Sequence, residues 1–189
     1  MDPLDVLARG AAGFATTLEQ VGADQWSSPA GVGDWTVRDL VDHVIGGDRM
    51  STAILGGGTR ADGLAEFARS AADVDPVAAF AGASSEMATA FATPGALDRT
   101  VAHPAMEMPG SQLLGFRIGE YGLHGWDLAR SIGADDTIDP DVAQALWDLM
   151  EPLAPFLAAT GMFGDGPSGT VPDGASLQLR LLDLSGRRP

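Results

Sequence analysis

The chain has 189 residues, which suits one domain, and 45% of them are hydrophobic, which suits a folded core. Its formal net charge of -15 disfavours nucleic acid and anionic membranes as partners, because their phosphates repel an acidic surface. The sequence has no cysteine and no lysine, which excludes disulfides, Cys-ligated zinc, protein thiol nucleophiles, imine chemistry and a P-loop lysine.

Two amphipathic helices are predicted in the first third of the chain. Asp2 stands before a proline, an N-cap signal, and apolar residues then recur every three or four positions as far as Val21. A loop rich in Gly, Ser and Pro follows. Thr36 is expected to cap a second helix, which ends at the glycine run 56–58. The segment 59–74 is weakly patterned and carries no predicted helix.

A third and a fourth helix are predicted in the middle of the chain. Asp75 repeats the signal of an N-cap before a proline and opens the third helix. The stretch 93–110 has prolines and little periodicity, so it predicts an ordered loop with a short extended piece at 100–102. The fourth helix is predicted to begin at residue 110 or 111 and to end near Ser131.

The last part of the chain predicts a fifth helix that opens at Asp139, with a kink at Pro152. A loop over 161–174 and a short terminal helix over 176–184 complete the assignment. Helices joined by loops of these lengths favour a bundle, so we expect an all-α single domain over 1–189. The N-terminus lacks signal-peptide features and no apolar run can span a bilayer, so we expect a cytoplasmic protein.

Two of the three histidines lie on predicted helices that can face one another. Glu120 and His124 are four residues apart on the fourth helix, so their side chains project about 40° apart on one face, one turn along. His43 on the second helix shares a stripe with apolar residues and is expected to face the interior. Two imidazoles and one carboxylate form an open nitrogen and oxygen ligand set, which predicts a divalent-metal site on these three residues.

Simpler readings of these residues stay open at this point. An isolated histidine on an apolar helix face is more often a core or surface residue than a ligand, and a Glu–His pair four residues apart can stabilise a helix. His103, in the long loop beside a proline, is more simply a surface residue, and whether it takes part in the site stays open. Asp127, three residues after His124, is either an acceptor that orients this histidine or a solvated carboxylate.

Two runs of sequence resemble the signatures of the DinB/YfiT-like superfamily. They are GVGDWTVRDLVDHVIGGDRM and GEYGLHGWDLARSIG. The chain is most similar to the actinobacterial branch that includes the N-terminal domain of mycothiol-dependent maleylpyruvate isomerase. The resemblance implies a DinB-like antiparallel four-helix bundle with an extra short helix and long loops. It also implies that His43, Glu120 and His124 are metal ligands. The pieces VAHP, MPG and GRRP resemble a single-domain subgroup of metal-binding proteins.

The resemblance implies a metal-dependent, thiol-dependent transferase or isomerase, with mycothiol as the thiol and an electrophilic small molecule as substrate. The isomerase has a further C-terminal domain that contributes to its active site, and this sequence ends soon after the bundle. We therefore expect the metal bundle and the use of a thiol to carry over, rather than isomerisation itself. Zinc is the first expectation for the metal, with nickel, iron or manganese as alternatives. A metal hydrolase, a non-catalytic metal-binding or sensing protein, and a homodimer stay open.

Overall fold

The structure, a computed structural model, describes residues 1–69, 75–154, 166–172 and 174–188. These residues form the all-α bundle that the sequence predicts, with one small antiparallel sheet. The helices are α1 (Pro3–Leu18), α2 (Val37–Leu55), α3 (Arg60–Phe67), α4 (Pro76–Phe91), α5 (Gly110–Gly119), α6 (Gly125–Ile132), α7 (Pro140–Met150) and α8 (Leu177–Leu184). A π turn, Glu120–His124, joins α5 to α6 in one continuous helical run. Within the described ranges, no helix is long and apolar enough to cross a membrane.

Side-chain caps confirm the predicted starts of α1, α2, α4 and α7, while α5 begins at the predicted Gly110 without one. The Asp2 carboxylate accepts from the Leu4 N–H at the start of α1. At the start of α2, Thr36 accepts from the Asp39 N–H, and the Asp39 carboxylate accepts from the Thr36 N–H. This reciprocal capping box satisfies two backbone donors that an uncapped helix end leaves unpaired. It fixes where α2 begins, and thereby which face of α2 carries His43.

Helix α2 lies at the centre of the bundle. It packs against α3 and α4 on one side and against α5 and the π turn on the other, while α1 packs against α4 and the π turn. The core between these helices is apolar and almost fully buried; its larger members include Phe14, Leu40, Ile45, Met87 and Leu113. This packing brings the middle of α2 next to the π turn, although the two are about 75 residues apart along the chain.

Helix α3 is a correction to the sequence analysis, which assigned no helix to 59–74. Its N-terminus has a second capping box, in which Thr59 accepts from the Asp62 N–H and the Asp62 carboxylate accepts from the Thr59 N–H. The helix has only eight residues and buries little more than Gly63, so its sequence shows no apolar stripe. The cap, and not the periodicity, was the available signal.

The fourth predicted helix, and the loop before it, differ from expectation in detail. A regular helix was expected up to about Ser131, but five residues, Glu120–His124, adopt the wider π conformation within the run. The extended piece predicted at Thr100–Ala102 is present as β1, and it pairs with an unpredicted strand β2, Glu107–Pro109. A three-residue strand is too short to leave a pattern of alternation in the sequence.

The end of the chain agrees with the sequence analysis where the structure describes it. Helix α7 ends at Met150, and a 3-10 turn, Glu151–Leu153, contains Pro152, at the predicted kink. The short terminal helix is present as α8, capped by Ser176. In the predicted loop over 161–174, residues 161–165 and 173 lie outside the described residues, and residues 166–172 and 174 form neither helix nor strand, as expected.

Candidate metal centre

Three side chains converge between α2 and the π turn. The His43 Nε2 lies 2.8 Å from Glu120 Oε2, and His124 Nε2 lies 3.5 Å from the same oxygen. The two imidazole rings meet edge to face, with their centroids 5.3 Å apart. One nitrogen or oxygen from each residue lies within 4.8 Å of the other two. The structure therefore brings together the three residues that the sequence singled out, as a group that could hold one metal ion.

The geometry and chemistry of this group fit a divalent ion. Ligand atoms about 2 Å from a tetrahedral ion lie roughly 3.3 Å from one another, and the observed separations bracket that value. Two imidazole nitrogens and one carboxylate oxygen suit zinc and other borderline divalent metals. His43, Glu120 and His124 have side chains that are 26%, 28% and 14% exposed, so the group is partly open to solvent. A partly exposed group of three such side chains leaves room for a further small ligand.

The Glu120 carboxylate is held in its ionised form. Burial raises its pKa, but the hydrogen bond from His43 and the nearby charges of His124 and Arg117 outweigh that effect and bring the pKa to about 2. The Arg117 Nη1 lies 3.9 Å from Glu120 Oε2. An ionised carboxylate only accepts hydrogen bonds, so the His43 Nε2–H donates to it. A metal ion and this imidazole proton compete for the same nitrogen lone pair.

The second histidine is oriented from behind. His124 Nδ1 lies 2.9 Å from Asp127 Oδ2, and Asp127 is itself paired with the Arg187 guanidinium. A carboxylate paired with arginine accepts hydrogen bonds, so His124 Nδ1 carries a proton and Nε2 is the ring nitrogen that faces Glu120. Carboxylate–histidine pairs of this kind orient ligands in metal proteins. Of the two interpretations of Asp127, the structure supports the orienting acceptor, because this residue is only 4% exposed.

A buried polar network lies beneath Glu120. The Arg117 Nη2 donates to Asp48 Oδ1 at 2.8 Å and to the Val44 carbonyl at 3.0 Å, and the Tyr121 hydroxyl donates to Asp48 Oδ1 at 2.9 Å. Asp48 is fully buried, and burial raises its pKa to about 6 against the lowering effect of Arg117. The sequence analysis missed Asp48, since an aspartate inside a helix gives no signal that a buried arginine will reach it.

Aromatic side chains form one wall of the site. The Trp35 ring centroid lies 4.7 Å from that of His43 and 5.9 Å from that of His124, and the Phe67 ring meets His43 edge to face at 5.4 Å. These contacts restrict rotation of the His43 ring without using its nitrogens. Trp35 lies in the DWT run just before α2, so its position follows from the cap at Thr36.

His103 takes a different position from the three converging residues. Its Nδ1 accepts from the Ala105 N–H at 3.2 Å, and its ring meets Phe116 edge to face at 5.9 Å. Burial, followed by the charge of Arg117, lowers its pKa. Among the described residues, the group able to hold a metal comprises His43, Glu120 and His124 and does not include His103.

Comparisons with known proteins agree with this architecture. Residues 7–129 match the family model of the mycothiol maleylpyruvate isomerase N-terminal domain. Two uncharacterized proteins, from two strains of Mycobacterium tuberculosis, are each 33% identical over 177 residues, which span 92% of this chain and 87% of theirs. The crystal structure of the mycothiol-dependent maleylpyruvate isomerase superposes with a TM-score of 0.64 at 16% identity, over 82% of this chain and 71% of that one.

The structural match supports the DinB-like bundle fold that the sequence runs imply. The family match covers α2, the π turn and Asp127, and so contains the whole converging group. The chain therefore belongs to the mycothiol maleylpyruvate isomerase N-terminal domain family.

Proposed function

We propose that the chain, acting as one domain over 1–189, is a divalent-metal protein that uses a small thiol to act on an electrophilic substrate. His43, Glu120 and His124 are the proposed ligands and zinc the first metal to test. The observation that carries the proposal is the convergence of two imidazole nitrogens and one carboxylate oxygen within 4.8 Å, in a group partly open to solvent. A bound divalent ion supplies Lewis acidity there, which lowers the pKa of a coordinated thiol.

The residues of the chain prepare this site for a thiol brought from outside. The sequence has no cysteine, so any sulfur nucleophile comes from a cosubstrate. A free thiol has a pKa of roughly 8.5, so a modest stabilisation of its anion makes it mostly thiolate near neutral pH. Glu120 stays ionised as a ligand, while Asp127 keeps the proton of His124 on Nδ1, away from the site. Mycothiol is the proposed thiol because the matching family and the structural neighbour carry it in their names.

The test begins with metal content. Protein purified without chelators or a polyhistidine tag is expected to contain close to one divalent ion per chain by elemental analysis. Metal-loaded protein is then incubated with electrophiles, with and without mycothiol, and loss of free thiol is followed. Thiol consumption that needs both the protein and its metal supports the proposal.

Two outcomes replace the proposal with another function. Cleavage of ester or amide substrates at full rate without thiol favours a metal hydrolase, in which water occupies the place of the thiol. A tightly bound ion with no exchangeable ligand and no reaction favours a non-catalytic metal-binding protein. Purified protein that neither contains nor takes up a divalent ion contradicts the ligand assignment itself.

A further inference from the structure

The segment that follows α8 returns to the metal centre. The Arg187 Nε donates to Asp127 Oδ1 at 2.8 Å, and its Nη2 donates to Asp127 Oδ2 at 2.5 Å. Two donors of one planar guanidinium, Nε and Nη2, therefore hydrogen-bond to the two oxygens of one carboxylate. The pair is sheltered, since the side chains of Arg187 and Asp127 are 14% and 4% exposed. A bidentate, largely buried pair fixes the rotation of the carboxylate as well as its position.

The fixed orientation of the Asp127 carboxylate in turn fixes the ring of His124, a proposed ligand. Its Oδ2 accepts from both Arg187 Nη2 and His124 Nδ1, so one oxygen joins the arginine to the imidazole. Rotation of the carboxylate would carry that oxygen out of the imidazole plane and release the His124 ring. Arg187 is 60 residues from Asp127 in sequence, and the contact depends on α8 packing against the bundle.

The charges around the site support the same role for this arginine. Two carboxylates at the site lie near a guanidinium: Arg187 pairs with Asp127, while Arg117, which pairs more closely with Asp48, has its Nη1 3.9 Å from Glu120. Without Arg187, the largely buried Asp127 would lose its charge partner, and its carboxylate would be free to turn.

We propose that Arg187 is a positioning residue of the metal centre: it locks Asp127 so that His124 presents Nε2 toward Glu120 and His43. This inference rests on the proposed metal site. It adds a residue from the end of the chain, outside the matched range 7–129, to the residues that determine metal affinity. Changes at Arg187 then alter metal binding although its side chain hydrogen-bonds to Asp127 and the Ser185 carbonyl and not to the three proposed ligands.

The neighbouring Arg188 offers a matched control. It belongs to the same segment, but its Nη2 donates to the Gly166 carbonyl at 2.9 Å and its Nη1 lies 3.5 Å from Asp183. Arg188→Ala therefore removes the same charge from the same segment and leaves the Asp127 pair in place, although the Arg188 side chain is 49% exposed and that of Arg187 only 14%. A change in metal affinity that comes only from the charge of the segment would appear in both substitutions.

The experiment measures Zn²⁺ affinity by competition with a chromophoric chelator, on protein first stripped of metal. Arg187→Ala is expected to weaken Zn²⁺ binding about 10-fold to 100-fold, the usual effect of removing a group that orients a ligand. Arg187→Lys keeps the positive charge but loses the two parallel donors of the guanidinium, so its Zn²⁺ affinity is expected to lie between those of Arg187→Ala and the wild type. Arg188→Ala is expected to bind like the wild type. In an Asp127→Asn background, Arg187→Ala is expected to have little further effect.

A second readout does not need metal. The nitrogen resonances of the His124 ring in the metal-free protein report which nitrogen carries the proton. Wild type is expected to carry a proton on Nδ1, facing Asp127, and Arg187→Ala is expected to show a smaller share of molecules with Nδ1 protonated. If wild-type protein binds no Zn²⁺, the proposed function fails, and this comparison alone decides the role of Arg187. Unchanged affinity and an unchanged His124 tautomer in Arg187→Ala, or equal losses in Arg188→Ala, overturn the inference.

Discussion

The substitution Gly47→Ala tests whether the buried arginine beneath Glu120 depends on a missing side chain in α2. The Arg117 guanidinium lies directly over the Gly47 Cα. A Cβ added at Gly47 would overlap Arg117 Nη1 and lie 2.8 Å from Cζ. Arg117 is only 4% exposed, so it has little room to move aside. We expect alanine at this position to push the guanidinium off Asp48 and Val44.

The size of the effect follows from two opposing contributions. Alanine stabilises a helix interior by up to ~1 kcal/mol relative to glycine. Breaking a buried ion pair, by contrast, costs ~3–5 kcal/mol, because a charge is left buried without its partner. The pair broken here is Arg117–Asp48, whose side chains are 4% and 0% exposed. Gly47→Ala is therefore expected to lower the free energy of unfolding by ~2–4 kcal/mol.

Urea denaturation followed by circular dichroism measures this change. The protein is kept metal-free with chelator, so that ligand binding does not add to its stability. Gly82→Ala is the matched control, since Gly82 is an exposed helical glycine of α4 with nothing within 4 Å of an added Cβ. It is expected to raise stability by ~0.5–1 kcal/mol. If Gly47→Ala is as stable as wild type or as Gly82→Ala, the packing argument is wrong.

Three further predictions concern the ligands and the buried network. His124→Ala is expected to lose stoichiometric metal and to keep its helical content and fold, whereas His103→Ala is expected to keep the metal. Elemental analysis measures the metal, and a circular dichroism melt measures the fold. Retained metal in His124→Ala contradicts the assignment of His124 as a ligand. Tyr121→Phe removes one hydrogen bond to the buried Asp48 and is expected to cost ~1.5–3 kcal/mol in urea denaturation, so no loss would contradict that bond. Burial raises the pKa of Asp48 to about 6. Between about pH 4 and pH 6, the folded state therefore keeps a proton on this carboxyl that the unfolded chain has already released. The contribution of Asp48 to the free energy of unfolding falls as the pH rises through that window. At ~1.4 kcal/mol per pKa unit, the free energy of unfolding of the wild type is expected to fall on the order of 3 kcal/mol more than that of Asp48→Asn over this pH window. Parallel pH profiles of stability for the two proteins would refute the raised pKa of Asp48.

The convergence of the three proposed ligands could be predicted from the sequence because it depends on helix periodicity and helix capping. Glu120 and His124 are one turn apart, and the cap at Thr36 fixes the face of α2 that carries His43. These are local signals, which periodicity and capping residues report well. The packing of α2 against the helical run that contains Glu120 and His124 was then the remaining assumption, and it follows from their apolar faces.

The residues that support the ligands were less accessible, because their partners are distant in sequence. Arg187 meets Asp127 across 60 residues, and Asp48 meets Arg117 across 69 residues. No spacing rule relates such pairs, and each residue alone resembles an ordinary helix or tail charge. Helix α3 was missed for a different reason: eight residues bury too little apolar surface to produce a stripe.

The π turn at Glu120–His124 makes the length of this segment a constraint in its own right. In a regular helix, four residues rotate through about 400°, but the wider i→i+5 turn gives roughly 340°, which leaves the two side chains nearly in line along the axis. Such a turn accommodates one residue more than the same stretch of α-helix. Deleting one residue between Glu120 and His124 would let the run close into a continuous α-helix, and because the wider turn has absorbed that residue, α6 would keep nearly its present orientation relative to α5. The separation of Glu120 and His124 would fall from four residues to three, which places their side chains about 60° apart on a regular helix. An insertion or deletion within these five residues would therefore change the angle between the Glu120 and His124 side chains, whereas a substitution at one of the three positions between them would leave that angle unchanged.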